Sequence, residues 1–127
     1  MEVFNINQSF SHLKQDEKSD IQILKLTDGI MSMLIAELKA GKKLSAHYHN
    51  EGAETYQVFE GEGNVELGKL SGDTVQWESN FTVKAGDVFD VPPKMVHRLS
   101  NNSDKALRII FFAPPSHLGE DRTFINI

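Results

Sequence analysis

From Glu54 onward the chain repeats one rhythm: β-type runs at residues 54–59, 64–68, 74–78, 81–84, 88–91, 96–100 and 106–113, separated by a few turn residues each. Parallel strands joined by helices need crossovers of about a dozen residues, and these gaps are too short for them. The spacing therefore predicts an all-β chain whose strands pair antiparallel in a sandwich or barrel.

Upstream, Ile21, Ile23, Leu24 and Leu26 form a short strand-like run, and Asp28-Gly29 marks a hairpin turn. Residues 30–38 are apolar on both alternating faces, with Ile30, Leu34, Ala36 and Leu38 on one and Met31, Met33 and Ile35 on the other. That suits a strand buried on two sides. A helix competes here, because Met, Leu, Ala and Glu favour helices, but Gly41 closes the segment early among strand-like neighbours. Residues 1–20 are polar and mixed and read as a leading strand plus an exposed loop. Pro114-Pro115 closes the last core strand, and the tail 116–127 carries Leu118, Phe124, Ile125 and Ile127, apolar enough to dock. The expected organisation is one domain over 1–127, with a barrel core at about 30–114.

The formal charge is −5, and the 13 Lys and Arg residues are scattered, so no basic footprint for nucleic acid is present. The chain has no cysteine, which excludes disulfides and thiolate metal sites. Residues 1–10 have neither a basic start nor an apolar run, and no stretch reaches membrane-spanning length. Cytoplasm is the expected address, with no membrane partner.

His47 and His49 are two apart, so on a strand their side chains share a face. Glu54 heads the next strand-like run, and His97 starts a later one. A barrel could bring all four together. Three imidazoles and one carboxylate suit Mn, Fe, Ni, Cu or Zn better than Mg or Ca. Alternation puts Tyr56 on the face of Glu54. Tyr56, Phe89 and Phe111, with Met33, Val58, Val91 and Phe112, are candidate pocket-lining residues, although packing is the simpler role for each. Gly61, Gly63, Gly68 and Gly86 read as turn glycines. His12 and His117 stand outside the group and are read as non-ligands, His117 as a residue that could cap a neighbouring pocket.

The spacing resembles the two motifs of the cupin family. Gly41, His47-x-His49, Glu54 and Gly61 match the first, and Gly86, Pro92, His97 and Asn101 match the second; Lys94 stands where the family usually has glycine. The resemblance implies a jelly-roll β-barrel (double-stranded β-helix) and one divalent transition metal held by His47, His49, Glu54 and His97, with two positions open for water, substrate or dioxygen. Expected, then, is a metal-dependent enzyme of the oxygenase or isomerase type acting on a small organic molecule inside the barrel. The alternative is a non-catalytic small-molecule-binding or sensing module. No catalytic residue is legible. The habit of cupins to pair through sheet edges, with the apolar tail, makes a homodimer the expected state.

Overall fold

A computed structural model describes residues 3–125. Its strands are β1 (Lys14–Gln15), β2 (Gln22–Lys25), β3 (Ser32–Leu38), β4 (Lys43–Tyr48), β5 (Glu54–Glu60), β6 (Glu62–Ser71), β7 (Thr74–Lys84), β8 (Val88–Val91), β9 (Val96–Ser100), β10 (Leu107–Ala113) and β11 (Thr123–Phe124). They form two sheets, ordered β1-β2-β3-β10-β5-β8 and β11-β4-β9-β6-β7. Every pairing is antiparallel. The all-β jelly-roll expectation holds.

The main core lies between the sheets, where Leu34, Ala36, Leu38, Val58 and Phe111 of one meet Leu44, Val65, Val83 and Leu99 of the other. The two-faced strand also holds, and its outer face has a cause. Ile35 and Ile110 point away from the barrel and are covered by Phe10 and Leu26. Met33 and Phe112 join this outer layer, so neither lines the interior as the sequence suggested. Strand β3 starts at Ser32, and Ile30 is 95% exposed in the preceding turn.

The leading segment departs from expectation. Instead of a strand followed by a loop, residues Ile6–Ser9 form a short helix, α1, and Phe10–His12 a 3-10 turn, before the two-residue β1. Asn5 caps α1 by accepting from the Gln8 amide at 3.0 Å. Ile6, Phe10 and Leu13 recur at helical spacing and all pack in the outer layer, with Phe10 tilted against Phe59 at 5.5 Å.

The separate runs at 74–78 and 81–84 are one continuous strand, β7, in a long hairpin with β6. Ser79 and Asn80 stay in the ladder opposite Leu67 and Glu66. Gly61 and Gly86 sit in turns with positive φ. Gly63 and Gly68 lie within β6 instead, where a Cβ would come within 2.7 Å of Leu107 and 2.6 Å of the Gln76 carbonyl. They are close-approach positions, not turns.

The two motif ends meet. The Gly41 amide donates to the Asn101 carbonyl at 2.8 Å, and the Asn101 amide to the Lys42 carbonyl at 2.9 Å. The fully buried Asn101 side chain donates to the carbonyls of Leu38 and Lys105 at 2.8 and 2.7 Å. Asn101→Ala takes the side-chain donor from the Leu38 carbonyl and leaves the Lys105 carbonyl only the Ser103 hydroxyl, and urea unfolding should show a loss of about 2 kcal/mol. Lys94 has φ +67 and donates its amide to the His49 carbonyl at 2.6 Å. Lys94→Gly should relieve that left-handed strain and raise stability by about 1 kcal/mol in the same measurement.

Candidate metal centre

Leu44 and His47 are three apart on β4, so strict alternation would put them on opposite faces. Both point inward because the β4–β9 register shifts between them. This bulge turns His47 into the barrel directly opposite its pairing partner, His97. His49 lies one residue beyond the end of β4 rather than on the strand. Glu54 opens β5, which crosses from the other sheet. All four side chains are buried, and one ligand atom from each lies within 4.8 Å of the others.

The backbone fixes how each imidazole presents itself. Nδ1 of His47 faces the Ser45 carbonyl at 2.8 Å, Nδ1 of His97 the Met95 carbonyl at 3.1 Å, and Nδ1 of His49 the Asp121 carbonyl. A carbonyl only accepts, so each Nδ1 carries the proton and each Nε2 holds a free lone pair. Nε2 of His49 and of His97 both lie 3.2 Å from Glu54 Oε1. Neither nitrogen has a hydrogen-bond partner. Buried lone pairs facing a carboxylate oxygen call for a cation among them, and neutral imidazole with carboxylate is the donor set that binds one. The four residues fit a transition ion.

Electrostatics point the same way. Burial, and after it the neighbouring His97, holds the His47 imidazole well below its ordinary pKa. Burial opposes the charge on Glu54, and only positive charge among His117, His49 and His97, the part an ion there would play, outweighs it and holds the carboxyl well below the usual range. Tyr56 shares the inward face of Glu54 and donates to its Oε1 at 3.1 Å. Burial and the adjacent Glu54 charge push the phenol well above its usual value, so it remains a donor.

The free space beside the group is a cavity of about 20 Å³ lined by Tyr56, Phe111, Ile21, Ile23, Leu118 and Arg122. That is room for roughly one water. Phe89 is not on this lining; it stacks on Tyr56 at 5.0 Å, as Phe111 does at 5.3 Å.

Sequence reasoning missed what the tail brings. His117, in the 3-10 turn Pro115–Leu118, is 1% exposed, places Nδ1 3.4 Å from Glu54 Oε2, and stacks on His49. Asp121 takes the amides of Asn50 and Glu51 at 2.7 and 2.9 Å. Phe124 packs on His47, and the Ile125 amide donates to the Ala46 carbonyl at 2.9 Å. Arg122 forms two 3.0 Å hydrogen bonds to Asp16, far away in sequence. The expectation that the tail docks is met through Leu118, Phe124 and Ile125, while Ile127 lies outside the described residues. The tail's apolarity signalled docking; nothing in its spacing pointed to Glu54.

Comparison with known proteins settles the family. The family model described as a cupin domain matches residues 34–113, which contain both motifs and all four clustered residues. The chain is a cupin. It is 30% identical over 95 residues to an uncharacterized protein of Methanocaldococcus jannaschii, covering 75% of this chain and 69% of that one. It is 32% identical over 89 residues to polyketide synthase CurC of Streptomyces cyaneus, covering 70% of this chain. This cupin spans about half, 51%, of that relative's length. Among solved structures it is similar to an oxalate decarboxylase of Bacillus subtilis with Mn(II) centres, at TM-score 0.65 and 19% identity over 86% of this chain and 28% of that one. At that identity the likeness shows the fold alone. No helix among the described residues is long and apolar enough to cross a membrane.

The clasp between Asp16 and the tail of this cupin sets a pH dependence. Burial works against the Asp16 charge, but hydrogen bonds from Arg122 and Ser19 and the Arg122 charge outweigh it, so its folded pKa lies below the ordinary value. A depressed carboxylate contributes stability that is present above its unfolded pKa of about 3.9 and fades as pH falls through the lower folded value. Asp16→Asn should therefore be less stable than the parent at pH 6, with the gap closing as pH drops below about 4 in denaturation series.

Proposed function

We propose that this single-domain cupin is a metal-dependent enzyme that holds one divalent transition ion, Mn, Fe, Ni, Cu or Zn, through His47, His49, Glu54 and His97, and acts on a small organic molecule as an oxygenase or isomerase. The observation that carries this reading is the set of three imidazoles, each locked by a backbone carbonyl with Nε2 free, converging with a buried carboxylate. A bound ion of this kind supplies Lewis-acid or redox chemistry to a substrate oxygen. The chain's own residues do the rest. Tyr56 holds Glu54 through its hydroxyl, and Tyr56, Phe111 and Leu118 keep bulk water from the group. The name of one similar protein, a polyketide synthase, supports chemistry on small organic molecules.

One observation favours a second reading. A 20 Å³ cavity admits no small molecule without movement of its lining, which suits a non-catalytic cupin whose metal holds the barrel together. Turnover separates the two. Protein loaded with Mn or Fe, incubated with a panel of small carboxylic acids and enolisable ketones, should consume oxygen or yield an isomer by NMR, and the His47→Ala/His97→Ala variant should not. Metal-dependent thermal stabilisation with no product from any compound would contradict the enzyme and leave the non-catalytic cupin.

We propose separately that the protein is a homodimer. Support comes from the exposed apolar residues Val88, on the edge strand β8, and Ile30. Light scattering behind size exclusion should give twice the chain mass at micromolar concentration, and a monomer would contradict it.

A further inference from the structure

Arg122 uses one edge of its guanidinium and leaves the other idle. Nη1 and Nη2 donate to the two carboxylate oxygens of Asp16 at 3.0 Å each, which occupies the end-on fork of the group. Nε and the outer proton of Nη2 form a second fork along the side. The side chain is only 5% exposed, and its buried Nε has no hydrogen-bond partner. A buried N–H of a charged group is costly without an acceptor, so the free edge calls for one.

The side chain stands between two cavities. Arg122, Ile23 and Leu118 line both the 20 Å³ cavity beside His47, His49 and Glu54 and a surface cavity of about 600 Å³ that Asp16 also lines. These three side chains are therefore a partition between the centre and the outside. The guanidinium lies over the Phe124 ring at 5.1 Å, and Phe124 packs on His47, so the idle edge belongs to a group one ring away from the clustered imidazoles.

Charge and shape select the ligand. Glu54 and Arg122 bring opposite charges to the inner cavity, whose other walls include the apolar Ile21, Ile23, Phe111 and Leu118. A divalent ion held by Glu54 and the imidazoles would leave positive charge in excess there, which Asp16, already engaged end-on, offsets only in part. An anion balances it. A planar pair of oxygens fits the side-on fork, and a carboxylate is the smallest anionic group of that shape. Small size matters, because the cavity has room for about one water and Ile23 and Leu118 must move aside for anything larger.

We propose that the substrates of this centre are small carboxylic acids, bound as carboxylates, and that Arg122 recognises them with its Nε–Nη2 edge while Asp16 holds the end-on edge in place. This rests on the metal reading above. Arg122 is thus a specificity-determining residue supplied by the tail, outside both motifs.

The test is proton relaxation of acetate in the presence of Mn(II)-loaded, tag-free protein, with acetamide as the neutral probe of the same shape. Acetate bound beside the ion should relax strongly and acetamide should not. Arg122→Gln should weaken acetate binding by about 10–100-fold, and Arg122→Lys, which keeps the charge without the fork and serves if Gln is not tolerated, should lose most of it. Asp16→Asn breaks the same clasp but keeps the guanidinium, so it should retain acetate binding. A merely structural Arg122 would make the Asp16 and Arg122 variants fail alike. That result overturns the proposal, as does equal relaxation of acetate and acetamide, or full acetate binding in the Arg122 variants, and in each case Mn retained by wild type keeps the metal reading intact. If wild type retains no more Mn than His97→Ala, the metal reading fails and the proposal fails with it.

Discussion

The pairing of β4 with β9 is the constraint on which the rest depends, because it sets His47 opposite His97 inside the barrel. Without the bulge that breaks alternation after Leu44, either the core would lose Leu44 or the site would lose His47. The barrel keeps both. Around this pair the other parts fall into place: His49 one step past the end of β4, Glu54 at the head of a strand from the facing sheet, and backbone carbonyls that fix each imidazole with Nε2 free.

A buried carboxylate is costly unless it is paired, and of the described side chains around Glu54 only Tyr56 hydrogen-bonds it, which leaves the imidazole nitrogens facing it to an ion. Its neighbours come from four parts of the chain: His49 and Tyr56 nearby, His97 on β9, and His117 from the tail. The centre is therefore also a clasp. The tail reaches it from outside the barrel motifs and touches three of the four clustered residues, through His117 on Glu54, Asp121 on His49 and Phe124 on His47. The Arg122–Asp16 pair then ties the tail to the leading segment.

Much of this was legible in the sequence, and for physical reasons. Strand rhythm and turn residues gave the all-β class, and the spacing of His47, His49, Glu54 and His97 predicted a group that the fold does bring together. Alternation placed Tyr56 beside Glu54 correctly. What escaped depends on long-range packing. The Ile6, Phe10, Leu13 stripe is too short to stand out as helical, and it forms a single helical turn and a 3-10 turn where it docks on Ile35 and Ile110. Ser79 and Asn80 looked like a break, yet a hairpin ladder carries them through. Met33 and Phe112 looked like lining because alternation tells two faces apart without saying which is inside. His117 was legible only as a residue that could cap a pocket, because its neighbours in sequence carry no motif and Glu54, which it approaches, is 63 positions away.

The central claim is that the imidazole and carboxylate cluster exists to hold an ion. Elemental analysis of protein purified without an affinity tag, beside the His47→Ala/His97→Ala variant, tests it most directly. The account predicts about one transition-metal ion per chain in the native protein and none in the variant. Equal, near-zero metal in both, with no change in stability or spectrum on adding Mn, Fe, Ni or Zn, would contradict it.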